Sequence, residues 1–140
     1  MSINFYAEDV TIPKFGRKVI SGWLKDVINS KGKCTGNVSV IFCSDEYLLD
    51  VNKRYLDHDY YTDIITFDYV EGDKISGDIF ISVDRIADNA ATYNVSFSNE
   101  LHRVLVHGIL HLLGYKDKTS EEKNEMTENE NKYLKLLNNN

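Results

Sequence analysis

The chain has little proline, little cysteine and no long unbroken apolar run. Pro13 is its one proline, so most segments can form regular structure without a missing donor or a fixed φ. Cys34 and Cys43 are its two cysteines, nine residues apart and in no metal or redox motif. That pair excludes a disulfide-framed secreted module and suits thiols kept reduced in a cytoplasm. No apolar run approaches the ~20 residues that a membrane-spanning helix needs. The opening MSINFYAEDV has no basic segment leading into an apolar one, so no secretory signal is expected and the expected location is cytoplasmic. Basic charge is scarce as well: 16 Lys and Arg against 22 Asp and Glu give a net charge of −6. This argues against coating nucleic acid by global charge, while leaving room for a local basic patch. Much of the acidity comes late, in EEKNEMTENEN, so the rest of the chain is nearer neutral.

What is present is an ordinary globular composition, 42% hydrophobic and 27% charged over 140 residues, which suggests one domain able to bury a core without disulfides. Residues 3–8 suit a short strand. Phe15, Val19, Ile20, Trp23, Leu24, Val27 and Ile28 recur at threes and fours, predicting an amphipathic helix from Pro13, in its first turn, to Gly32 at its end. NVSVIFC (37–43) reads as a strand, and Ser44 with Asp45 and Glu46 opens a helix to about Tyr55. TDIITFDY (62–69) and GDIFISVD (77–84) read as strands joined by the turn EGD, and they should pair antiparallel. Asp84 is the expected cap of a helix over 85–93, and Ser98 that of the next, with Glu100 in its first turn and Gly114 at its end. Thr119 and Glu122 form a capping box for a last helix with Met126, Tyr133 and Leu137 on one face. The order β-α-β-α-β-β-α-α-α predicts an α+β domain with one mixed sheet of about four strands. The trailing asparagines, 138–140, are expected to fray.

The chemistry concentrates in HGILHLLGYKD, residues 107–117. Residues four apart on a helix share a face, so His107 and His111 can aim two imidazoles at one point. Gly114 lets the chain turn back, which brings Asp117 to where a returning loop reaches the same point. Two imidazoles and a carboxylate are a legitimate zinc set that leaves a position for water, whose pKa zinc would lower to about 7. A bland reading stands beside this, since a His-x-x-x-His pair also occurs as two unliganded core or surface histidines. Gly108 stands where zinc peptidases of the H-E-x-x-H type carry their glutamate base, so that mechanism is disfavoured. Gly108 either lets a backbone or phosphate come close or permits tight helix–sheet packing. His102 is about 140° around the helix and reads as a surface residue or one that supports a ligand from behind, and His58 as a solvated loop residue.

Taken whole, HGILHLLGYKD resembles the signature of the YbeY family of bacterial rRNA maturation factors, H-G-x-L-H-L-x-G-Y-D-H, at every fixed position through Tyr115. VNKRYLDHDYYTDIITF (51–67), GDIFIS (77–82) and SEEKNEM (120–126) resemble further family blocks in the same order, so the likeness spans about residues 40–127. It implies a zincin-like α+β fold over residues 1–137 as one metallohydrolase domain. It also implies one zinc ion per chain, and single-strand-specific endoribonuclease activity that matures and checks ribosomal RNA together with the ribosome in the cytoplasm. No DNA or membrane partner is expected. Two departures stand out. The family's third zinc histidine falls at Asp117, which keeps a ligand but reduces the net charge of ion and ligands. The arginine that in the family is thought to contact RNA phosphate falls at Leu56, which cannot do so.

The expected metal ligands are therefore His107, His111 and Asp117, and the expected catalytic group is the zinc-bound water, with no side chain assigned. Zinc could supply a hydroxide for direct attack or act as Lewis acid while a 2′-hydroxyl attacks; the residues leave both open. Arg54, if the helix ends there, Arg85 and Arg103 are candidate phosphate contacts, each more often a plain surface residue. Asp63 and Asp78 match family positions and are candidates to orient a ligand histidine from behind, or plain turn residues. Tyr60, Tyr61 and Tyr69 are candidate stacking platforms for unpaired bases, although most tyrosines in a chain with nine of them belong to the core. Two alternatives remain: a non-catalytic ribosome-associated factor with a structural metal, and another zinc metallohydrolase, peptidases included.

Overall fold

The computed structural model describes residues 1–138. Strand β1 (Ile3–Ala7) is followed by helix α1 (Arg17–Ser30), strand β2 (Cys34–Cys43), helix α2 (Asp45–Leu56), strands β3 (Ile64–Asp68) and β4 (Lys74–Ser82), and helices α3 (Val83–Tyr93), α4 (Phe97–Leu112) and α5 (Ser120–Asn138). The strands form one sheet in the order β1-β2-β4-β3. β1 and β2 run parallel, as do β2 and β4, and each pair is joined by a connection that contains a helix. β3 and β4 are consecutive and antiparallel, as their short connection requires. The expected α+β domain with a mixed four-stranded sheet is what forms.

Strand alternation assigns the two faces. Val38, Val40 and Phe42 of β2 and Ile79 and Ile81 of β4 point to one side, into a core shared with Leu24 and Ile28 of α1, Leu105 and Ile109 of α4, and Met126 of α5. Each such side chain contributes about 1.5–3 kcal/mol by leaving water. Cys43, Ile65, Phe67 and Phe80 point to the other side, where Leu48 and Val51 of α2 cover them. The histidine helix α4 and α2 thus lie on opposite faces.

Two glycines let α4 lie close on the sheet. A Cβ at Gly108 would come within 2.9 Å of Ile64 Cδ1 and 3.1 Å of Ile79 Cγ2. A Cβ at Gly77 of β4 would meet the Phe67 carbonyl oxygen at 2.5 Å and Leu112 Cδ2 at 2.9 Å. Of the two roles open to Gly108, close helix–sheet packing is the one realised. α5 is pinned over α1 by Trp23 Nε1, which donates to the Tyr133 carbonyl at 2.9 Å, and by the Tyr133–Ser30 hydroxyl pair at 2.8 Å.

Several boundaries differ from the sequence expectation. α1 begins at Arg17, not Pro13, because Phe15 packs on Phe5 and Phe42 (ring centroids 5.0 and 5.7 Å) from an irregular segment. β2 begins earlier, at Cys34, across a register shift between Thr35 and Val38. α3 is capped by Ser82, whose Oγ accepts from Arg85 N at 3.1 Å, not by Asp84. α4 is capped by Ser96, accepting from Asn99 N at 3.1 Å, not by Ser98. Asn94, at φ 55°, turns the chain sharply enough after α3 for the next helix to start at once. The Thr119–Glu122 capping box forms as expected, with reciprocal bonds of 3.1 and 2.9 Å. Asn138 closes α5, and the fraying expected of residues 139–140 lies outside the described residues.

Candidate metal centre

His107 and His111 occupy successive turns of α4 near its C-terminal end. Gly114 adopts φ +101°, a left-handed value that turns the chain back, and Asp117 follows in the returning loop. His107 Nε2 and His111 Nε2 stand 2.9 Å apart, and Asp117 Oδ2 is 3.3 Å from each. A tetrahedral zinc shell places its ligand atoms about 3.3 Å apart, so this triangle has the size a metal ion needs.

The outer nitrogens decide which lone pairs face inward. His111 Nδ1 lies 3.0 Å from the Tyr115 carbonyl oxygen, which can only accept, so Nδ1 carries the proton. His107 Nδ1 donates to Glu130 Oε2 at 2.6 Å. With both rings neutral the Nε2 atoms are left as acceptors facing one another across 2.9 Å, an arrangement that a proton or a metal ion between them relieves. His107, His111 and Asp117 therefore form a group that can hold a metal ion. Burial opposes the charged form of His107, but the Glu130 hydrogen bond and the charges of Glu130, Asp117 and Asp63 outweigh it and hold its pKa above the usual histidine value. Burial and the neighbouring His107 push His111 the other way.

Glu130 is the residue that sequence reasoning missed. It is 7% exposed and bridges two partners, taking Arg103 Nη1 on its second oxygen at 2.8 Å. A signal was available: Glu130 falls four after Met126 and three before Tyr133, on the apolar face of the last helix. A carboxylate on such a face needs a buried partner. Glu100, which the sequence pattern marks only as a first-turn acid, is 5% exposed and faces the same cleft. That cleft, of about 310 Å³, is lined by Asp63, Glu100, Arg103, His107, Asp117 and Glu130 among others.

The remaining candidates separate by face and by partner. Asp78 does not support a ligand histidine. Strand alternation turns it away from Ile79 and Gly108, to the α2 side, where it accepts from Tyr69 Oη at 3.2 Å. Asp63 lines the metal cleft, but both histidine Nδ1 atoms bond elsewhere. Burial raises its pKa. Arg54 sits on α2 and pairs with Asp50 at 3.0 Å. Arg85 is held by Asp45 (2.9 Å) and Asp88 (3.2 Å) and lies over the Tyr61 ring. Arg103 does line the cleft, held by Glu130 and by Asn131 at 2.8 Å. His102 is not at the site: it packs edge-on against Trp23 at 6.2 Å, and burial lowers its pKa. His58 stacks on Tyr60 in the exposed loop after α2. Tyr60, Tyr61 and Tyr69 are all exposed, as is Leu56 at 39%.

Two imidazoles one helical turn apart, joined by a carboxylate from a returning loop on an α+β scaffold, define a small α+β protein with a side-chain group able to hold a metal ion. The chain belongs to the YbeY family: the family model described as Endoribonuclease YbeY matches residues 2–138. The Endoribonuclease YbeY of Parabacteroides distasonis is 56% identical over 137 residues, covering 98% of this chain and 96% of that protein. The protein of the same name from Phocaeicola vulgatus is 50% identical over 135 residues, covering 96% and 98%. Among solved structures, the solution structure of TM1509 from Thermotoga maritima matches with a TM-score of 0.68 and 28% identity, covering 96% of this chain and 88% of that one.

Proposed function

We propose that this chain is a zinc-dependent endoribonuclease that cuts single-stranded ribosomal RNA and works with the ribosome in the cytoplasm. Family membership supports RNA cleavage as the reaction. The observation that carries the metal dependence is the triangle of His107 Nε2, His111 Nε2 and Asp117 Oδ2, with both outer Nδ1–H groups already bonded. Zinc suits a set of two imidazoles and one carboxylate. Unpaired Cys34 and Cys43 fit a reducing compartment.

His107, His111 and Asp117 would hold the ion. When bound, zinc supplies positive charge for a phosphoryl oxygen and lowers the pKa of water. The chain's own groups do the rest. Tyr115 and Glu130 fix the tautomer and tilt of the two imidazoles, and Arg103 holds the second oxygen of Glu130. Asp63 offers the cleft a carboxyl, its pKa raised by burial, that can exchange a proton there. Position 108 offers no base, because a side chain there would point into Ile64 and Ile79. The peptidase alternative therefore has nothing in its favour.

The test joins metal analysis to cleavage. Untagged protein should carry close to one equivalent of zinc and cut a single-stranded rRNA fragment, and His111→Ala should lose both. Cutting by His111→Ala at the wild-type rate would identify a contaminating nuclease and sink the reading. A metal-loaded wild type that binds RNA without cutting it would favour the non-catalytic factor.

A further inference from the structure

A second cleft, of about 530 Å³, adjoins the metal centre on the side of residues 113–116, and Lys31, Lys33 and Lys116 line it with Tyr115, Glu122 and Glu125. Its wall is continuous with the centre, since the Tyr115 carbonyl holds His111 and Asp117 follows Lys116 directly. We propose that this cleft binds the phosphodiester backbone of single-stranded RNA running to the metal centre, and that the flanking phosphates lie on this side of the centre. The proposal rests on the RNA-cleavage reading and adds the path of the substrate.

The charges support that path. Lys116 has no ion-pair partner among the described residues, and it stands where the family pattern carries aspartate. Lys33 pairs with Asp73 at 3.1 Å in an exposed bridge, a weak contact that a phosphate can replace. Lys31 is fixed by Asn129 Oδ1 at 3.1 Å and lies over the rings of Tyr115 and Tyr133, so its charge is held in place. Glu122 accepts from Lys118 N and Thr119 N at its own helix start and Glu125 is the other carboxylate, so three ammonium groups outnumber two carboxylates. The opposite cleft has Asp63, Glu100, Asp117 and Glu130 against Arg103 and the His107 imidazole. Before a cation is bound a polyanion is repelled there, whereas the lysine cleft attracts it in either state. The lysines also supply cationic contacts that Leu56 cannot.

The experiment measures binding of a labelled, 2′-O-methylated single-stranded RNA to zinc-loaded protein by fluorescence anisotropy across a salt series. Each phosphate contact on a single strand contributes about 0.7 to the slope of log affinity against log salt. Lys33→Gln/Lys116→Gln should flatten the slope by about 1.4 and weaken binding about tenfold at low salt, with zinc content unchanged. Lys33→Gln alone, far from the ligand loop in sequence, should give about half the slope change. Lys53→Gln on α2 should match wild type. Wild-type slope and affinity in the double variant, with wild-type RNA binding intact, would overturn the cleft and leave the nuclease reading standing. A wild type that neither binds nor cuts RNA would overturn both.

Discussion

The two clefts beside the histidine helix differ in sign although the consecutive residues Lys116 and Asp117 line one and the other. On one side four carboxylates face one guanidinium and the His107 imidazole; on the other three ammonium groups face two carboxylates, one of them held by backbone. The net charge of −6 describes neither. The acidic side contains the groups that aim the ligands, and its own charge repels a phosphate until a cation is bound. The basic side attracts phosphate with or without the ion. Metal loading should therefore strengthen RNA binding through the acidic side and leave the lysine contribution to the salt slope intact.

The largest way to break this contrast is to remove the carboxylate that both aims a ligand and adds charge. Glu130→Leu takes away the acceptor of His107 Nδ1 and leaves the Arg103 guanidinium without its carboxylate. Zinc affinity, measured by competition with a chelator, should fall by about 10–100-fold. Glu130→Gln keeps an acceptor oxygen and should fall between that variant and wild type. Unchanged affinity in Glu130→Leu would show that the 2.6 Å contact does not orient the histidine.

Gly108→Ala disturbs the helix between the clefts without touching a charge. The added methyl meets Ile64 and Ile79 at about 3 Å, so α4 must shift or the isoleucines must repack. Overpacking of this kind costs about 1–3 kcal/mol, read as a lower midpoint in urea with an unchanged slope. A neutral result would mean that α4 rises off the sheet or that Ile64 and Ile79 repack without cost.

The ligand set and the sheet were readable because each depends on short-range spacing. The i, i+4 pair, the turn at Gly114 and the alternation in β2, β3 and β4 are local patterns with one geometric outcome. What sequence reasoning misplaced depends on packing between distant segments. Asp78 and Asp63 both looked like strand-end carboxylates, and only the pairing of the sheet shows that one faces α2 and the other the metal cleft. Ser96 and Ser98 are both good caps, and the sharp turn at Asn94 decides between them. Phe15 fits the helical period, but its contacts with Phe5 and Phe42 are tertiary and override it. Glu130 was hidden because its partners, His107 and Arg103, lie 23 and 27 residues away.

The smallest effect separates charge from orientation on the acidic side. Glu100 faces the same cleft as Glu130 but holds neither histidine. Burial, and then the nearby Asp63 charge, raise its pKa above the ordinary 4.5. In the folded state Glu100 therefore holds its proton to higher pH than in the unfolded chain. Between 4.5 and that raised value the native protein binds more protons, so stability falls as pH rises through the window. Above the window the cost of the buried charge is fully present. Glu100→Gln removes that cost, so the variant should be more stable than wild type at neutral pH, by less than Gly108→Ala loses. The gain should fade as pH falls toward the ordinary value. Denaturant midpoints at a series of pH values check this, and a gain independent of pH would assign it to packing instead of ionisation. Zinc affinity should stay at the wild-type level, because the change removes a cleft charge and leaves the Glu130–His107 bond in place. A loss as large as that of Glu130→Leu would mean that the summed charge of the acidic cleft holds the ion, and that the aim of His107 matters less than the geometry implies.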